Sequence, residues 1–81
     1  MTSFTVTGSS LSMLKPGEKG IVARIQTLKD SLQQEIRSLN INPGTTIIVE
    51  QRFPRFLVRI GTTQLVLTPE ILNAIYVRLP S

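Results

Sequence analysis

The chain has 81 residues, 41% of them hydrophobic and 17% charged, and its nine basic against five acidic residues leave a net charge of +4. That describes one small domain with enough apolar side chain for a core, not a disordered tail. Neither Cys nor His occurs, which excludes disulfide scaffolds, thiolate metal sites, thiol catalysis and the imidazole general base.

Residues 1–10 are rich in Ser and Thr and read as an N-terminal arm or a first edge strand, with Phe4 and Val6 on one face. Residues 11–81 read as one barrel domain. Leu11 and Leu14 lead into Lys15-Pro16-Gly17-Glu18. Pro presets φ for the second position of a type II turn, and Gly accepts the positive φ of the third. A strand over residues 20–26 follows, with Ile21, Ala23 and Ile25 on one face and Val22, Arg24 and Gln26 on the other.

Leu28, Leu32, Ile36 and Leu39 step by four, four and three, one apolar stripe of a helix facing the core. Asp30 and Ser31 are candidate N-caps, and Ser31 with Gln34 fits a capping box. Arg37 suits the negative end of the helix dipole. Asn40 stands where the chain leaves the helix, a place for left-handed φ that Gly or Asn fills best.

Asn42-Pro43-Gly44-Thr45 repeats the turn. A strand over residues 45–51 follows, with Ile47 and Val49 inward, Thr46 and Glu50 outward and Ile48 on the far face. Arg52-Phe53-Pro54-Arg55 forms a connecting bend, and residues 56–60 and 63–67 make a third and fourth strand about a tight Gly61-Thr62 hairpin. Thr68-Pro69-Glu70 opens a short helical turn, with Thr as N-cap, Pro at the first position and an acid in the first turn. Residues 75–79 close the chain as a fifth strand.

The fold class expected is mainly β: a small five-stranded SH3-like barrel with one α-helix inserted after the first strand and a helical turn before the last. Closure of the barrel would remove exposed sheet edges.

Little in this pattern points to reaction chemistry. Glu18, Asp30, Glu35, Glu50 and Glu70 show no calcium-loop or other ligand spacing. Hydroxyl side chains are plentiful, but neither an S-x-x-K nor a G-x-S-x-G motif accompanies them. No enzymatic activity, metal or cofactor is expected. The first residues carry no basic flank or long apolar run, and no apolar run approaches the ~20 residues that cross a bilayer. A cytoplasmic protein without membrane insertion is the expectation.

The motif series has a family resemblance. Leu11-Ser12-x-Leu14-Lys15-Pro16-Gly17-Glu18 resembles the opening of FeoA-type domains, the small accessory proteins of bacterial ferrous-iron uptake. The likeness continues through Leu39-Asn40-Ile41-Asn42-Pro43-Gly44-Thr45, where the family pattern is roughly Leu-Gly-Ile-x-Pro-Gly-Thr. Val49-Glu50-Gln51-Arg52, Val58-Arg59-Ile60-Gly61, Leu67-Thr68-Pro69-Glu70 and Ile75-Tyr76-Val77 complete it over residues 11–79. Asn40 replaces the usual Gly, the connection from Gln51 to Phe56 is short, and Leu72 stands where Ala is common. The resemblance implies an SH3-like barrel that acts through a FeoB-type transporter, a membrane protein with a cytosolic GTPase domain. Such an accessory would be recruited to the inner face of the membrane by its partner. Similar domains are fused to iron-dependent repressors, so an interaction domain for such a repressor is an alternative.

Arg52, Phe53 and Arg55, two arginines and an aromatic around a proline, form the candidate partner surface, since Arg and aromatics are enriched at interface hot spots. Phe56 is expected to start a strand and enter the core. Leu28 lies outside the best-capped helical segment and is a second candidate docking residue. Arg24, Arg59 and Arg78 alternate with apolar neighbours on strands and read as a solvated face. A nucleic-acid-binding barrel driven by the +4 charge is the competing class, but no RNP-like aromatic pair or cluster of basic residues supports it. Self-association through an uncovered strand edge is a further possibility, and Tyr76 is expected to pack its ring with a wet hydroxyl.

Overall fold

In the computed structural model, which describes residues 9–80, the core is drawn from the helices and from every strand but the two-residue first one. The elements run β1 (Ser9–Ser10), a 3-10 turn (Leu11–Met13), β2 (Lys19–Ile25), α1 (Asp30–Ser38), β3 (Thr46–Gln51), β4 (Phe56–Ile60), β5 (Thr63–Leu67), α2 (Pro69–Ala74) and β6 (Ile75–Arg78). All neighbours in the sheet are antiparallel, in the order β1-β6-β2-β3-β4-β5. The five expected strands and both helices are present, and Ser9–Ser10 adds a two-residue sixth strand beside β6. Phe4 and Val6 lie outside the described residues.

The two Pro-Gly turns stitch β2 to β3. Each closes with the expected i→i+3 bond, Glu18 N–H to the Lys15 carbonyl and Thr45 N–H to the Asn42 carbonyl, both 2.9 Å. Gly17 and Gly44 supply φ of 90° and 97°. Each turn then docks on the other strand. Gly17 N–H donates to the Val49 carbonyl at 2.7 Å, and Gly44 N–H to the Val22 carbonyl at 2.8 Å. The repeated motif is thus one device used at both ends of a strand pair.

The face assignment of β2 needs a correction. Val22 pairs with Val77 and Arg24 with Tyr76, so Ala23 is an extra residue in the ladder. This bulge breaks the strict alternation and puts Val22 and Arg24 on opposite faces, Val22 buried and Arg24 exposed. A second bulge in β3 falls at Glu50, between the Val49–Val58 and Gln51–Leu57 pairs. Ile47 and Val49 are buried and Thr46 is exposed, as the alternation predicts.

α1 buries Leu32 and Ile36, with Leu39 half-buried at its end. Leu28 departs from the expected stripe. It precedes the helix, Lys29 is extended, and the i,i+4 relation to Leu32 is lost, so Leu28 is fully exposed. Lys29, rather than Asp30 or Ser31, occupies the N-cap position and makes no side-chain cap bond. The Thr27 hydroxyl accepts the Lys29 N–H instead, and Asp30 places its charge in the first turn. At the other end Asn40 has φ 65°. Its N–H donates to the Arg37 carbonyl while that of Ile41 donates to the Ile36 carbonyl, a Schellman ending whose apolar contact is the fully buried Ile36–Ile41 pair.

Thr68 caps α2 by accepting the Ile71 N–H at 3.3 Å, with Pro69 at the first position. Ile71, Leu72 and Ala74 are buried, and α2 packs against the 3-10 turn. The sheet order leaves β5 with one strand neighbour, β4, among the described residues. Among the described residues β5 is therefore an edge of the sheet.

Candidate functional site

The connection from β3 to β4 is short and carries four exposed side chains in a row, Arg52 through Arg55, with a cis Phe53–Pro54 peptide. Phe56 then enters β4 and is buried at 8% exposure, as expected of it. Arg52 folds back: its Nη2 donates to the Ser12 carbonyl at 3.0 Å, and its guanidinium lies 6.0 Å from the centre of the Phe56 ring. One end of the bend is thereby tied to the 3-10 turn.

This bend forms one wall of an open groove of about 390 Å³. The buried side chains of Phe56, Leu67 and Leu72 form its floor. Arg52, Pro54 and Arg55 line it from the bend, and Val66, Thr68 and Pro69 from β5 and the start of α2. The lining holds two guanidinium groups and no carboxylate. It can receive an apolar group on its floor and an anionic group at its rim.

Of the four residues picked from sequence, Arg52 and Arg55 line the groove together. Phe53 sits between them in the bend, 86% exposed, without lining it. Leu28 is exposed but takes no part in this groove. Sequence reasoning missed Val66, Pro69 and Leu72, which reach the site from β5 and α2. The only sequence signal was Leu72 in place of a small residue, which supplies part of the apolar floor.

The fold engages much of the remaining charge. Arg59 Nε donates to Glu50 Oε2 at 2.7 Å, and Gln64 Nε2 to Glu50 Oε1 at 2.7 Å. These two hydrogen bonds, the Arg59 one first, hold the Glu50 carboxyl below the usual carboxylate range. Lys29 Nζ donates to Glu70, which holds the ammonium above the usual lysine range, chiefly through that hydrogen bond and then through the charge of Glu70. The Arg24 guanidinium lies 4.8 Å from the centre of the half-buried Tyr76 ring. Among the described residues no three His, Cys, Asp or Glu side chains gather as metal ligands. No helix there is long and apolar enough to cross a membrane.

Residues 9–79 match the FeoA domain family. A relative from Leptolyngbya boryana, "Putative Fe(2+) transport protein A", is 52% identical over 80 residues, 98% of each chain. Among solved structures, the crystal structure of an iron uptake regulatory protein, FeoA, superposes with a TM-score of 0.79 at 27% identity, covering 88% of this chain and 96% of that one. A zinc complex of Stenotrophomonas maltophilia FeoA, described as a prokaryotic SH3 domain protein, superposes with a TM-score of 0.75 at 23% identity, covering 85% and 88%. The sheet described above is therefore SH3-like.

Proposed function

The chain belongs to the FeoA family of ferrous-iron transport accessory proteins, and from that premise we propose that it is a non-enzymatic module that binds the cytosolic part of a FeoB-type GTPase transporter. In this reading it works at the inner face of the membrane, held there by its partner. The observation that carries the reading is the groove, with its apolar floor, two arginines and adjacent exposed Phe53. Exposed aromatics beside arginines are the residues most often found at the centre of protein interfaces. The absence of His and Cys from the sequence favours a regulatory or assembly role over carriage of iron.

The test is capture of the full-length transporter in mild detergent, with and without guanine nucleotide. Wild type is compared with Arg52→Glu/Phe53→Ser/Arg55→Glu and with Phe53→Ser/Arg55→Glu, which spares the Arg52–Ser12 bond. Capture by wild type and loss in both variants is the expected result. Equal capture by all three keeps the partner and discards this surface. No capture by wild type under any nucleotide condition discards the partner.

A further inference from the structure

We propose that β5 is a docking edge, on which an extended segment of the partner protein adds as a further strand and places a carboxylate between Arg52 and Arg55. The inference deepens the function proposed above by stating what the partner must present.

Among the described residues no strand pairs with the outer side of β5, and the strand carries none of the usual protection in its own sequence. Soluble proteins blunt sheet edges with lysines, prolines, bulges or a covering element. Thr63-Gln64-Leu65-Val66-Leu67 contains no charged residue and no proline, and its five pairs with β4 run without a bulge. The two-residue Gly61-Thr62 turn makes Ile60–Thr63 the first hydrogen-bonded pair. Alternation then directs the main-chain groups of Leu65 and Leu67 toward β4, and those of Gln64 and Val66 away from it. Neither Gln64 nor Val66 makes a main-chain bond to a turn or loop among the described residues. Val66 is also 53% exposed, a large β-branched side chain left on the surface.

The edge runs into the groove, because Val66 and Leu67 belong to both. A strand laid on β5 and continued past Leu67 reaches the apolar floor and the two arginines. Side chains of a strand alternate between faces. The matching segment is therefore extended, alternates apolar with acidic residues and lacks proline at the paired positions. A second copy of this chain fits less well. Adding antiparallel through its own β5, it brings its Gly61-Thr62 turn to the groove, where it has no carboxylate.

Val66→Pro is the discriminating variant. It removes an N–H that points away from β4, so the β4–β5 ladder keeps its bonds while the docking edge loses a donor. Val66→Thr keeps both the donor and the branched shape. Random 12-residue peptides displayed on phage are panned against the whole chain, and the enriched peptides are titrated against all three proteins. The expected result is enrichment of alternating apolar and acidic sequences that bind Val66→Pro about tenfold or more weakly and Val66→Thr nearly as wild type. Their binding should slow amide exchange at Gln64 and Val66, while Leu65 and Leu67 are already slow in the free protein.

Equal binding to Val66→Pro, or no slowing at Gln64 and Val66, overturns strand addition. No enrichment, or enrichment without acidic residues, overturns it as well. Enrichment of sequences resembling β5, with mass rising with concentration, assigns the edge to a second copy instead. The transporter capture separates this inference from the reading it deepens. Equal capture by wild type and Val66→Pro keeps the transporter and discards the edge. Peptide binding without transporter capture keeps the edge and discards the transporter.

Discussion

Arg59 Nε of β4 donates to Oε2 of Glu50, the extra residue of the β3 bulge, at 2.7 Å. The second oxygen of the same carboxylate accepts from Gln64 of β5, the residue paired with Arg59. One carboxylate clamps three strands. Since the folded state holds this carboxyl below its usual range, the unfolded chain takes up its proton first as pH falls. The contribution is therefore present above the unfolded value and lost as pH drops through the folded one. Thermal unfolding followed from neutral to acid pH should show wild type losing more stability than Glu50→Gln. Parallel acid limbs for the two proteins would count against the clamp.

Gly20 faces the core where β2 meets β6. A Cβ placed there would lie 2.9 Å from both Cβ and Cγ2 of Val77 and 3.0 Å from Cδ1 of Leu14. Both neighbours are buried, so neither can move aside freely. Gly20→Ala should cost about 1–3 kcal/mol, as overpacking of a filled core does. Urea denaturation measures it, and an unchanged midpoint would show that β2 and β6 part without cost.

Asn40 pays for its left-handed φ of 65° with a residue type that tolerates it. Asn40→Gly should leave stability unchanged or raise it by a few tenths of a kcal/mol, whereas Asn40→Val should lower it by about 1–2 kcal/mol. Equal stability of the Gly and Val variants would remove the Schellman ending from the account of how α1 stops.

Among the described residues, Phe53 and Leu28 are the two most exposed large apolar side chains, at 86% and 103%. Phe53→Ser and Leu28→Ser should each change stability by no more than about 0.5 kcal/mol. Only Phe53→Ser should weaken transporter capture, because Phe53 stands in the bend between the two groove arginines and Leu28 does not. Weakening by Leu28→Ser alone would move the interface to the start of α1.

Hydrophobic periodicity, the two Pro-Gly turns and the Thr68-Pro69 start of α2 were enough to place the five longer strands and both helices, but not the 3-10 turn at Leu11–Met13. Each is a local signal, set by period, by fixed φ or by a cap within three residues. The groove was half legible, since the bend announced Arg52, Phe53 and Arg55 by composition alone. The rest of its lining came from β5 and α2, more than ten residues along the chain, and only their packing brings Val66 and Leu72 into the same groove as the arginines.

The sequence by itself determined the strand-rich class, the helix stop at Asn40, the missing thiol and imidazole chemistry and the bend that carries the arginines. Tertiary structure alone decided the bulges at Ala23 and Glu50, the exposure of Leu28 and the place of β5 at an edge of the sheet among the described residues. The physical reason is that these depend on which strand lies opposite. A bulge exists only relative to a partner ladder, and an edge only relative to the strands around it.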